Sequence, residues 1–110
     1  METNAMDALS EELHHFLCRL GEQPKQVDEK LKAYIAALLR LLTPADELLM
    51  KYSYGILGCP AEETAQLARR FNTDEATVEK VRTQCLRKIA ITPEWQEIRP
   101  LTKLRAIRLK

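Results

Sequence analysis

The chain has 110 residues, of which 45% are hydrophobic, 30% charged and 5% aromatic, with 3 Gly and 5 Pro. This is the length of one domain, or one domain with an appendage, and the composition excludes a disordered or low-complexity chain. The formal charge of +1 hides an asymmetry: residues 1–43 hold 5 basic and 7 acidic side chains and residues 44–110 hold 12 and 9, so a polyanion would meet the C-terminal part.

Leu, Ala, Glu, Lys and Arg dominate and favour helix over strand. The first helix is expected to start at the N-cap Asp7, with Leu9, Leu13, Phe16, Leu17 and Leu20 on one apolar face and Gly21 as its end. A second helix is expected from Pro24 to Leu42. Its stripe is Val27, Leu31, Tyr34, Ile35, Leu38 and Leu42, widened by Leu39 and Leu41. Thr43-Pro44 reads as a cap followed by a first-turn proline, opening a third helix to Tyr54 that Gly55 stops. Leu48, Leu49 and Tyr52 are its expected inner residues. After a loop over Ile56 to Pro60, a fourth helix is expected from Ala61 to Phe71, with Thr64, Leu67, Ala68 and Phe71 inward.

Asn72 tolerates the left-handed conformation, and Thr73 or Asp74 caps a fifth helix from Glu75 to Ala90. Val78, Val81, Cys85, Leu86 and Ile89 form its inner face. Thr92-Pro93 repeats the cap-plus-proline signal for a short helix carrying Trp95, a core plug, and Ile98. Pro100 is expected to break or kink it. Leu101, Leu104, Ile107 and Leu109 fit no single period. The expected organisation is all-α: a small helical bundle with an N-terminal helical hairpin over 1–42, a helix-turn-helix domain over 43–92, and a C-terminal helix and basic tail over 93–110.

No apolar run reaches the ~18 residues of a membrane span, and no signal-peptide pattern opens the chain. Cys18, Cys59 and Cys85 lack any Cys-x-x-Cys spacing and read as idle thiols of a cytoplasmic protein. His14 and His15 diverge by ~100° on a helix. They do not chelate one metal from one face, and Cys18 one turn on leaves the set short of four ligands. No Ser-His-Asp set, Gly-rich phosphate loop or carboxylate pair is present, so neither an enzyme nor a cofactor is expected.

The fourth and fifth helices carry a small residue, Ala68, a tight turn at Asn72-Thr73-Asp74, and the apolar pair Val78 and Val81. A small residue lets the second helix cross closely over the first, and the apolar pair locks it with its outer face toward solvent. From Leu42 to about Leu101 the chain resembles region 4 of bacterial primary sigma factors. The resemblance is carried by Leu42-Thr43-Pro44, Tyr54-Gly55-Ile56, Glu62 and Glu63 near Leu67-Ala68, Arg70-Phe71-Asn72, Thr77-Val78-Glu79-Lys80-Val81 and Leu86-Arg87-Lys88-Ile89. It implies a helical domain that docks on the flap of the RNA polymerase β subunit and reads the promoter −35 element with its second helix-turn-helix helix.

The chain departs from that pattern where the family places arginines. The matching positions are Glu75, Thr77 and Glu79, and a carboxylate aimed at phosphate is repelled, which argues against consensus −35 reading. The expected DNA-facing set is Thr77, Lys80, Arg82, Arg87 and Lys88, with Arg69 and Arg70 on the backbone. The chain has no room for the upstream polymerase-binding and −10-reading domain of a complete sigma factor. The function expected is therefore a transcription-associated DNA-binding or RNA polymerase-binding protein. The alternative is a protein-interaction module, a polymerase flap binder or sigma mimic, that has lost promoter reading. Candidate partners are DNA, RNA polymerase core or a sigma-binding protein, and a second copy through residues 1–42.

Overall fold

The structure, a computed structural model, describes residues 8–108 and the side chains of residues 8–100. Six α-helices and no strand occur among the described residues: α1 (Ala8–Glu22), α2 (Glu29–Leu39), α3 (Pro44–Tyr54), α4 (Thr64–Arg70), α5 (Glu75–Ala90) and α6 (Pro93–Arg108). The all-α bundle expected from composition is the architecture observed.

Helix starts follow local side-chain chemistry. Thr43 Oγ1 accepts from Asp46 N at 3.2 Å, Asp74 Oδ1 accepts from Thr77 N at 2.8 Å, and Thr92 Oγ1 accepts from Trp95 N at 3.1 Å. Each satisfies an amide that the first turn leaves without a partner. Of the two residues expected to cap α5, Asp74 is the one that does. The Asp7 cap expected for α1 lies outside the described residues. Gly55 ends α3 in the left-handed region at φ 65, where a Cβ would also press on Ala61 at 2.9 Å.

Four expectations are corrected. The second helix is not continuous from Pro24 to Leu42. Pro24–Gln26 forms a 3-10 turn, Val27 is extended, and Asp28 caps α2 by accepting from Lys30 N at 2.9 Å. Gly21 does not end α1, which runs on to Glu22; a Cβ at Gly21 would overlap the Tyr54 carbonyl oxygen, so the glycine serves the crossing of α1 over α3. The fourth helix begins at Thr64 rather than Ala61, because the Glu63 amide is taken by the Gln66 side chain at 3.0 Å and the turn starts there. Of the break or kink expected at Pro100, the break does not occur, since α6 continues to Arg108; the missing N–H leaves the Gln96 carbonyl without its helical donor.

The core is one cluster that draws on all six helices, including Leu13, Phe16 and Leu17 of α1, Ile35 and Leu38 of α2, Met50 of α3, Leu67 of α4, Leu86 and Ile89 of α5 and Trp95 of α6. The buried residues of α1 and α2 belong to the same cluster as those of α3 to α6. α1 packs on α5 and α3, and α2 packs on α6. α5 is the axis of the bundle, touching α1, α3, α4 and α6. Leu48, expected inside, is 44% exposed, and Leu49, Met50 and Tyr54 fill α3's inner face instead. Thr64, Tyr52, Phe71 and Val81 are only half-buried. Trp95 is fully buried, its ring centroid 5.8 Å from that of Phe16, as a core plug should be.

Candidate functional site

α4 and α5 are joined by a turn over residues 71–74. Asn72 takes φ 58, and the Thr73 amide donates to the Ala68 carbonyl at 2.8 Å, so the chain reverses within a few residues of the α4 end. Ala68 is buried beneath the turn, and Val78 is fully buried one turn into α5. The small residue, the left-handed turn and the apolar anchor thus hold the two helices in contact.

α5 has two exposed surfaces of different chemistry. Thr77, Lys80, Gln84, Arg87 and Lys88 are all exposed and recur at i, i+3, i+7, i+10 and i+11, which is one stripe of a helix of period 3.6. The stripe holds three cations, two neutral polar side chains and no carboxylate. Glu75 and Glu79 lie about 100° or more round the helix from Lys80, and Glu79 lines a cleft shared with α1. Asp74, beside them, is held below the usual carboxylate range by hydrogen bonds from Thr77.

The seven basic and polar residues singled out from the sequence separate into groups. Thr77, Lys80, Arg87 and Lys88 lie together on the outward stripe, and Arg69 is exposed at the end of α4. Arg70 is not a loose phosphate ligand. Its Nε donates to Glu62 Oε1 at 3.1 Å, a second N–H donates to the other carboxylate oxygen, and the guanidinium stacks 4.2 Å from the Tyr52 ring centroid. That pairing holds the Glu62 carboxyl low and raises Arg70. Arg82 turns away from the stripe into a cleft. It donates to Ser53 Oγ at 3.3 Å and to Thr64 Oγ1 at 3.5 Å.

That cleft, about 350 Å³, is lined by His14 and Cys18 of α1, Ser53 and Tyr54 of α3, and Glu79, Arg82 and Thr83 of α5. Along it the Tyr54 hydroxyl and His14 Nδ1 are 2.7 Å apart, a contact across forty residues that no local pattern signals, and His14 Nε2 lies 3.7 Å from Cys18 Sγ, one helical turn on. Burial lowers the His14 pKa below 6.5, helped by His15 and Arg82. Burial also raises the Cys18 thiol and Tyr54, and pushes Cys85 up to about 12 with Asp46 nearby. Cys18 and Cys85 are therefore kept as thiols rather than activated. No cluster of three or more metal-ligating side chains occurs among the described residues, and no helix among them is long and apolar enough to cross a membrane.

A scan against protein-family models finds no match to this chain, and neither do searches of curated proteins and of solved structures.

Proposed function

We propose that the chain is a transcription-associated DNA-binding protein that lays the outer stripe of α5 on duplex DNA. The supporting observation is the five-residue stripe Thr77, Lys80, Gln84, Arg87 and Lys88, fully outward and free of carboxylates. Arg69 adds a sixth potential phosphate or base contact beside the α4–α5 turn. A helix is ~1.5 Å long per residue, so the stripe extends about 17 Å and matches several phosphates along a groove. Thr77, Lys80 and Gln84 are the groups suited to base edges; Arg87 and Lys88 are suited to phosphates. The resemblance to sigma region 4 gives this geometry a precedent, without its consensus −35 code, because Glu75 and Glu79 replace arginines there.

A second reading has its own support. Asp74, Glu75 and Glu79 leave the N-terminal end of α5 acidic apart from Lys80. A basic protein surface, such as a flap or sigma-binding partner in the polymerase machinery, suits that end better than DNA does.

The deciding measurement is fluorescence anisotropy of the full chain with a mixed-sequence duplex across a salt series. Neutralising three or four phosphates gives a log–log slope of about −3 to −4. Lys80→Ala, Arg87→Ala and Lys88→Ala together should abolish the binding. No binding at low salt, or binding that ignores the triple substitution, overturns the DNA reading. Retention on RNA polymerase in that event supports the protein-partner reading.

A further inference from the structure

The cleft between α1, α3 and α5 contains a charge that the protein leaves unanswered. Arg82 carries five N–H donors, and its two hydrogen bonds go to neutral hydroxyls at 3.3 and 3.5 Å. No ion pair joins it to a carboxylate among the described residues, although Glu79 lines the same cleft one turn away. A half-buried guanidinium without a counter-charge is a group a planar oxyanion would complete, since its fork matches a carboxylate bidentately. Thr83 adds a further hydroxyl to the lining of the same cleft. The rings of His14 and Tyr54, edge to face at 5.4 Å, line the same cleft and offer ring edges to a flat body.

We propose that this cleft binds a small organic monocarboxylate, its carboxylate forked on Arg82 and its apolar or aromatic body against His14 and Tyr54. This reading is independent of whether α5 binds DNA. The site's charge favours a single negative charge over a phosphate. Arg82 supplies one cation, His14 is neutral near pH 7 because burial lowers it, and the Glu79 carboxylate at the exposed rim repels a dianion. A volume of about 350 Å³ accommodates a benzoate-sized ligand with water, at the small end of ligand pockets.

The test is a titration of the full chain with benzoate, followed by amide and arginine Nε–H resonances in NMR spectra. The expected result is a saturable shift confined to His14, Ser53, Tyr54, Arg82 and Thr83, with a Kd of about 1–10 mM, appropriate to one charge-assisted fork on a small ligand. Inorganic phosphate should bind more weakly, and benzyl alcohol should not bind. Arg82→Gln should weaken benzoate binding at least ~10-fold. Glu79→Gln, at an exposed position that leaves the core untouched, should tighten it severalfold and therefore decides the matter even if Arg82→Gln does not fold. Absence of a saturable shift overturns the site, as does benzoate binding that Arg82→Gln leaves unchanged. Phosphate binding tighter than benzoate, or Glu79→Gln binding no tighter than the parent chain, overturns it too.

Discussion

His14 and Tyr54, forty residues apart, are joined by a 2.7 Å hydrogen bond that ties α1 to α3. Tyr54 is only 9% exposed, so its hydroxyl has little water to turn to. Tyr54→Phe removes the hydroxyl and leaves a part-buried imidazole nitrogen without its partner. The expected cost is about 1–2 kcal/mol, at the level of an unmade buried hydrogen bond. Urea melts of the two proteins measure it; an unchanged midpoint would show that water replaces the hydroxyl without loss.

The same imidazole makes stability depend on pH. Burial, His15 and Arg82 lower the His14 pKa from 6.5 in the folded chain. Above about 6.5 both folded and unfolded states carry a neutral ring, and His14 contributes no pH dependence. As pH falls through that value the unfolded chain takes up the proton first, so stability is lost until the lowered folded pKa is passed. Melting temperature should therefore drop between pH 7.5 and pH 5.5 (both round values about the ordinary histidine pKa), and His14→Gln should flatten that part of the profile. Equal slopes in the two proteins would assign the acid sensitivity elsewhere.

Gly21 and Gly58 offer a matched contrast. A methyl at Gly21 meets the α3 backbone at the Tyr54 carbonyl, where neither partner is a flexible side-chain end. Gly21→Ala should cost about 1–3 kcal/mol through forced separation of α1 and α3. Gly58 has φ 87 but nothing within 4 Å, so Gly58→Ala should cost only the conformational penalty of about 1–2 kcal/mol. Gly21→Ala should also shift the resonances of His14 and Cys18, which Gly58→Ala should leave in place.

Glu62 acts as a restraint on Arg70, its two oxygens accepting from two N–H groups along one edge of the guanidinium. Glu62→Gln keeps the shape and removes the charge. If DNA is the partner, the freed Arg70 should raise affinity and steepen the salt slope by about 0.9, one added phosphate contact. A salt series with the same duplex decides it; an unaltered slope would leave Arg70 a purely structural residue stacked on Tyr52.

Much of the chain was legible because capping chemistry acts over three or four residues. Thr43, Gly55, Asn72, Asp74 and Thr92 each sit where their local preference places them, and α5 was bounded at both ends by such signals. Asp28 was hidden because the apolar spacing of Val27 and Leu31 continues across the break, and a stripe alone does not reveal that Val27 is itself extended. Gly21 looked like a helix stop because the reason for it lies in a backbone atom of α3, far along the chain. The same distance concealed the His14–Tyr54 bond. For the charged residues, the resemblance placed Arg82 with Lys80, Arg87 and Lys88, whereas helical period puts it about 160° round from Lys80, off the outer stripe. Period does not show that Arg82 reaches Ser53 and Thr64, or that Arg70 is held by Glu62.

α5 is both the rod around which four other helices are laid and the bearer of the exposed stripe. Eight of its sixteen positions are exposed, and the other eight contribute to packing or to the cleft. Drift at the exposed half leaves the interior undisturbed. Such a chain can therefore change its outward chemistry by small steps, one surface letter at a time, without re-solving the problem of how to fold.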